Sequence, residues 1–199
     1  MCKKIYIDTE TTGTDPKKHA LIQLSGFILA NGSKETFNFF IKPFPQDEID
    51  EQALAISGIT IEQLETFPAP EDVFIEFIFL LSKYIDRYDK IDKFLLFGYQ
   101  PKFDADFLKE FFLKNNDDYF GAWFFTPPID TMSIAAYALQ KERKYLPNFK
   151  LETVADYLKI GHGKLHDARE DIALTEMVEQ ATILKIQEKN KKGIALNAK

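Results

Sequence analysis

Asp8 and Glu10 stand two residues apart in Lys3-Lys4-Ile5-Tyr6-Ile7-Asp8-Thr9-Glu10-Thr11-Thr12-Gly13. Lys4, Tyr6, Asp8 and Glu10 alternate with Ile5, Ile7 and Thr9, which is the pattern of a strand, and residues i and i+2 of a strand project from one face. Two carboxylates side by side repel each other unless a cation lies between them. A divalent ion that favours hard oxygen ligands, Mg²⁺ or Mn²⁺, is the usual one. Taken alone, an Asp-x-Glu pair is more often a solvated strand face, so its weight rests on further acids and a base downstream.

Two later clusters supply them. Phe103-Asp104-Ala105-Asp106-Phe107-Leu108 follows Phe94-Leu95-Leu96-Phe97, a continuous apolar run that reads as a buried central strand. Asp104 falls in the first turn of the helix predicted from Lys102 to Lys114, and in open sheets such strand ends gather functional groups. Asp106 lies about 200° further round the helix axis, so the two acids cannot both face one site. Stabilisation of the helix N-terminus explains either acid without chemistry. The other cluster is Leu165-His166-Asp167-Ala168-Arg169-Glu170-Asp171. Asp167 and Glu170 have the spacing of a capping box, which leaves His166 just outside a helix and Asp171 one turn inside it. Asp171 shares a face with Leu174, Thr175 and Val178, and an acid on an apolar face is costly unless paired or metal-bound. His162, four residues before His166, makes a zinc pair conceivable, but it lies in a Gly-flanked loop rather than on a helix. Four carboxylates from three segments and a loop histidine suit phosphoryl chemistry. Two divalent ions about 3.5–4 Å apart can clamp the attacking and leaving oxygens, and a neutral histidine can take a proton from water near neutral pH.

The elements that must position these residues are legible in outline. Ala20–Ala30 reads as a second strand, with Asn31-Gly32 as a two-residue turn into a third strand over Thr36–Lys42 that Pro43 closes. Helical spacing covers Gln46–Ile56, Ser57-Gly58 interrupts it, and Thr60 can cap a short helix from Ile61. Val73, Phe74, Phe77, Ile78 and Leu81 mark a long helix over Glu71–Tyr88. Phe103, Phe107, Leu108, Phe111 and Phe112 line the inner side of the next one. Beyond Pro127-Pro128, helices are expected over Thr131–Gln140, Lys150–Leu158 and Ala168–Glu188. Hairpin strands followed by alternating helices and buried strands predict one α/β domain, a mixed sheet with helices on both faces.

The chain has 199 residues, 45% of them hydrophobic and 19 of them Phe, enough to bury a sizeable core. Its one cysteine, Cys2, can form neither an internal disulfide nor a thiolate zinc site, which agrees with a reducing cytoplasm. The first strand starts almost at once, leaving no room for a secretion signal. The most apolar stretch, Val73–Leu81, is short and carries Glu76, so no membrane span is expected. Net charge is −6 and the pI about 5.2, which argues against broad electrostatic attraction to nucleic acid. Cations bridging carboxylates to phosphate can still hold a nucleic-acid end. Lys185, Lys189, Lys191, Lys192 and Lys199 against Glu188 make a local basic tail; residues 189–199 are expected to be a solvated, frayed end to a domain spanning 1–188.

Ile7-Asp8-Thr9-Glu10-Thr11-Thr12-Gly13, Phe103-Asp104-x-x-Phe107-Leu108 and His166-Asp167-Ala168-x-x-Asp171 together resemble the three motifs of the DEDDh 3′–5′ exonucleases, relatives of the proofreading epsilon subunit of bacterial DNA polymerase III. Ile56-Ser57-Gly58-Ile59-Thr60 resembles the bend that follows the family's third strand. The resemblance covers roughly residues 3 to 185. It implies a ribonuclease H-like α/β fold with a mixed five-stranded sheet and helices on both faces. It also implies Asp8, Glu10, Asp104 and Asp171 as ligands of two divalent cations, Mg²⁺ or Mn²⁺, His166 as general base, and Thr11, Thr12 and Gly13 against the terminal nucleotide. Asp106 has no counterpart. Tyr99-Gln100 stands where many members have His-Asn, and Ser57 where they have His, differences that bear on strand contacts rather than on the reacting centre.

The implied activity is release of nucleoside 5′-monophosphates from single-stranded DNA 3′ ends. A DNA polymerase subunit is the protein partner implied, and Phe103 is expected to pack against the sheet. A ribonuclease trimming RNA ends is the alternative substrate class, distinguished by the 2′-hydroxyl. A non-catalytic polymerase-associated module is the alternative of another class; four intact acids together with His166 argue against it.

Overall fold

The computed structural model describes residues 2–161 and 168–197, the side chains of 168–169 and 192–197 excepted. Strand β1 (Lys4–Thr11) lies in the middle of a five-stranded sheet of order β3-β2-β1-β4-β5. It pairs antiparallel with β2 (Leu21–Ala30) and parallel with β4 (Leu95–Gly98). β2 pairs antiparallel with β3 (Ser33–Phe40), and β5 is the two-residue Ile129–Asp130. The sheet is mixed, as the residue pattern predicts, and five-stranded, as the family resemblance implies.

Helices α1 (Glu51–Ser57), α2 (Ile61–Thr66) and α3 (Pro70–Ser82) precede β4; α4 (Lys102–Lys114) and α5 (Phe120–Trp123) follow it. After β5 come α6 (Thr131–Ala138), a 3₁₀ turn over Gln140–Tyr145, α7 (Leu151–Leu158) and α8 (Ala168–Asn197). The chain packs as two compact units, Met1–Ile129 and Asp130–Lys199.

In the first unit, alternation along β1 sends Ile5 and Ile7 into a core shared with Leu24, Ile28 and Leu96, Phe77 and Leu81 of α3, and Phe107, Leu108, Phe111 and Phe112 of α4. Several of its aromatic rings meet edge to face, Phe74 and Phe112 at 5.0 Å and 89°, an arrangement that puts ring edges on π faces. On the opposite face of β1, Tyr6 stacks between Phe27 and Phe97 at 4.7 and 4.9 Å.

Several boundaries differ from the sequence reading for local reasons. Asn31 and Gly32 both adopt positive φ, 53° and 80°, so the hairpin closes in two residues and β3 starts at Ser33 rather than Thr36. The first helix begins at Glu51 rather than Gln46, since Asp50 caps it by accepting from the Gln52 amide, and Asp47 is committed elsewhere. The long helix stops at Ser82 rather than Tyr88. Past it, the Asp86 and Asp89 carboxylates accept from the amides of Tyr88 and Ile91, each at 3.0 Å, and such local bonds compete with helix. Helix α5 and the 3₁₀ turn are additions the apolar spacing does not reveal.

The start of the basic tail departs from the solvated end expected of it. Helix α8 runs to Asn197, and Lys189 is anchored rather than solvated: its ammonium donates to the carbonyl of Ala138, the last residue of α6, at 2.7 Å. A cation at a helix C-terminus meets unsatisfied carbonyls and the negative end of the dipole.

Asp47 and Lys114 form a tie in the first unit. Their side chains are 1% and 11% exposed and meet at 2.6 Å; Lys114 also donates to the His19 carbonyl at 3.0 Å, and the Phe44 amide to Asp47 at 3.1 Å. Removing the lysine leaves a buried carboxylate with the Phe44 amide but without its cation. Lys114→Met should cost about 3 kcal/mol in chemical denaturation, whereas Lys102→Met, which breaks the exposed Lys102–Asp106 pair, should cost under about 1 kcal/mol. Equal costs would contradict the tie.

Candidate active site

Asp8 and Glu10 occupy half-buried positions on one face of β1, with buried Thr9 between them on the other. The pairing of β1 with β2 slips just past them, where Glu10 opposes Gln23 but Thr11 opposes Leu21. An irregularity of this kind ends regular pairing and re-aims side chains.

Asp104 reaches the same strand from α4. Gly98 ends β4, and a Cβ there would lie 2.8 Å from Pro101 Cβ and 3.3 Å from the Ile7 carbonyl oxygen. Glycine therefore lets the β4–α4 turn fold back closely on β1. The first turn of α4 then buries Asp104, and the Thr9 hydroxyl donates to its Oδ1 at 2.7 Å. Burial pushes the Asp104 carboxyl up to about 6, against the lowering effect of the Thr9 hydroxyl and of the Asp104 and Thr9 backbone amides. A carboxyl so placed holds its proton to higher pH than an exposed one, and a cation sharing its surroundings would favour the ionised form.

The two acids of α4 separate as their angular spacing predicts. Asp106 is exposed and pairs with Lys102 one turn back at 2.5 Å. Phe103 departs from its expected place against the sheet: it is 40% exposed, its ring 4.8 Å from that of Phe107. The buried face of α4 begins with Asp104 and Phe107.

Thr11, Thr12 and Gly13 all do internal work. Thr11 donates to the Gly13 carbonyl at 2.7 Å. The fully buried Thr12 donates to the Glu48 carbonyl at 2.7 Å and accepts from the Ala20 amide at 2.8 Å. Gly13 packs against the His19 ring, whose Cδ2 would be 2.2 Å from a Cβ at that position. Ser57 likewise builds the bend before α2, donating to the Leu54 carbonyl at 3.0 Å.

Asp171 belongs to the second unit, half-buried in the first turn of α8, with Leu174, Thr175 and Val178 buried along the helix. His162, His166 and Asp167 lie outside the described residues. Among the described residues no three His, Cys, Asp or Glu side chains stand together closely enough to hold a metal ion. The donor chemistry nevertheless fits a hard cation: a same-face carboxylate pair, and a buried carboxylate held on the same strand by Thr9. Sequence reasoning missed Thr9, although a hydroxyl on the core face of a strand must find a buried partner.

The RNase T exonuclease family matches residues 5–176. The chain is 28% identical over 196 residues to a PolC-type DNA polymerase III of Thermotoga maritima, covering 94% of this chain and 13% of the polymerase. Identity to the PolC-type enzyme of Mycoplasmopsis pulmonis is also 28%, over 194 residues, covering 96% of this chain and 12% of that one. Among solved structures, Escherichia coli exonuclease I in complex with a dT13 oligonucleotide superposes with a TM-score of 0.72 at 20% identity, over 98% of this chain and 43% of that one. A complex described as ExoI/SSB-Ct gives 0.72 at 22%, over 93% and 42%. These likenesses carry the fold. The chain spans about an eighth of the polymerases and under half of exonuclease I.

Asp104 makes stability depend on pH in a stated direction. With its carboxyl raised from 3.8 to about 6 in the metal-free fold, the native protein keeps a proton that the unfolded chain has lost between those values. Stability from this group is therefore fully present below about pH 4 and lost as pH rises through 6. In EDTA, the thermal midpoint of Asp104→Asn relative to the unsubstituted protein should rise between pH 4 and 7 by on the order of 5 °C. A difference that stays constant, or falls, would refute the buried acid.

Proposed function

Since the chain belongs to the RNase T exonuclease family over residues 5–176, we propose that it removes nucleotides from the 3′ end of single-stranded DNA, releasing nucleoside 5′-monophosphates with two divalent cations, Mg²⁺ or Mn²⁺. The observation that carries this reading is the coupling of Asp104 through Thr9 to the strand bearing Asp8 and Glu10. The exonuclease domain is assigned to residues 1–188. No described helix is long and apolar enough to cross a membrane.

Asp8, Glu10, Asp104 and Asp171 would hold the cations. When bound, these supply positive charge for the attacking and leaving oxygens of the phosphodiester and bring the acidic chain together with a polyanion. His166 accepts the proton of the attacking water and must be neutral to do so. Thr11 and Thr12, whose hydroxyls are engaged inside the fold, and Gly13 shape the floor under the terminal nucleotide rather than bonding to it through hydroxyls. DNA is favoured over RNA because the polymerases it resembles are DNA polymerases and the exonuclease I structure holds a deoxyoligonucleotide. Association with a DNA polymerase is the partner reading that these relatives support.

Hydrolysis of an end-labelled DNA oligonucleotide should cease in EDTA and return with Mg²⁺ or Mn²⁺, with an RNA oligonucleotide degraded more slowly. Asp8→Ala should lower kcat by orders of magnitude; a fully active variant would end the two-cation reading. Asp104→Asn should lose nearly all activity and Asp106→Asn keep most of it, and the reverse would shift the motif by two residues. His166→Ala should cost about 10²–10⁴-fold and abolish the acid limb of the pH–rate profile, while metal binding persists. Retention of full rate and of that limb would assign the proton to another group.

A further inference from the structure

The second unit carries a basic and aromatic surface that no step above uses. From the last turn of α6 to the start of α7, the segment from Tyr137 to Lys150 presents Lys141, Arg143, Lys144 and Lys150 as exposed cations, with Tyr137 and Tyr145 each 65% exposed. Its one acid, Glu142, is half-buried and answered by Lys185 at 3.8 Å and Lys189 at 3.5 Å. The outward charge of this segment is therefore positive, on a chain whose net charge is −6.

The surface is also held in shape. Arg143 donates to the Leu146 carbonyl, and its guanidinium lies 5.5 Å from the centre of the Phe149 ring, while Leu146 is buried as an anchor. Lys144 stands 4.8 Å over the Tyr145 ring. Asn148 accepts from the Lys150 amide at 2.9 Å and from the Thr153 hydroxyl at 2.8 Å, fixing the entry to α7. A guanidinium fixed by a carbonyl and a ring loses less freedom when it takes a phosphate. Exposed tyrosines among cations offer stacking faces to bases of any sequence.

The geometry points to this surface as a contact for single-stranded nucleic acid, in which Lys141, Arg143 and Lys144 meet backbone phosphates and Tyr137 and Tyr145 stack on bases. It rests on the exonuclease reading for the identity of the strand, and it gives that strand a contact on the second unit.

The test uses the full chain and two readouts. Binding of fluorescein-labelled dT20 in EDTA is followed by anisotropy across a salt series. Turnover of p-nitrophenyl thymidine 5′-phosphate with Mn²⁺, a substrate with a single nucleotide, is measured alongside. Replacing Lys141, Arg143 and Lys144 together by Gln should weaken dT20 binding about tenfold. The slope of log K against log salt should flatten by about 2, at roughly 0.7 for each single-strand phosphate no longer neutralised. Tyr145→Ala and Tyr137→Ala should each cost about three- to tenfold in binding without changing the slope. Turnover of the single-nucleotide substrate should be unaffected in all of them. If the triple variant does not hold its thermal midpoint, Lys144→Gln alone must still flatten the slope by about 0.7. Unchanged affinity and slope would overturn the proposal, whatever the turnover. Absence of turnover by the unsubstituted protein would instead defeat the exonuclease reading, and the binding data would still judge the surface.

Discussion

The hydrogen bond from the Thr9 hydroxyl to the Asp104 carboxylate, 2.7 Å long, joins α4 to β1 between the two residues that carry the strand's own acids. It opposes a considerable cost. Burial drives the Asp104 carboxyl up to about 6, and the Thr9 hydroxyl with the Asp104 and Thr9 backbone amides does not restore the solvation that an ionised carboxylate has in water. Much of the first unit serves this arrangement. Gly98 lets β4 turn sharply against β1, Phe107, Leu108, Phe111 and Phe112 fasten α4 to the sheet, and Lys114 ties the far end of the helix to Asp47. An acid buried and then only partly compensated is a poor source of stability and a good ligand for a hard cation.

The charge of the whole chain and the charge of its parts lead to different conclusions. At −6 overall, long-range attraction to a polyanion is weak. Local arrangement departs from that average in two places, the carboxylates whose negative charge two divalent ions would offset and the 137–150 segment, whose single acid is neutralised by Lys185 and Lys189. The same two lysines give part of the basic tail a structural role, since Lys189 also caps α6.

Much of this is legible in the chain itself because the signals are local. Alternation of polar and apolar residues locates β1 and puts Asp8 and Glu10 on one face; a 100° step per residue separates Asp104 from Asp106, and the structure places one in the core and the other on a surface lysine. The apolar run at Phe94 to Phe97 marks the central strand. What escapes depends on long-range or cooperative contacts. Thr9 is an ordinary strand threonine until its partner, 95 residues away, is known. Thr12 reads as a ligand contact by resemblance, yet its hydroxyl is taken by Glu48 and Ala20. The early end of α3 comes from aspartates competing for backbone amides, and the persistence of α8 from a lysine finding the end of a neighbouring helix. Phe103 reads as core by composition and is exposed because the buried face of α4 starts one residue later.

Counting the cations tests the central claim most directly. Calorimetric titration of Mn²⁺ into the full chain in the presence of thymidine 5′-monophosphate should give two ions bound per chain, and the same titration of Asp104→Asn should lose at least one of them. A chain that binds no Mn²⁺ under these conditions, or an Asp104→Asn protein that binds both ions with undiminished affinity, would contradict the assignment of these carboxylates as the metal-holding centre.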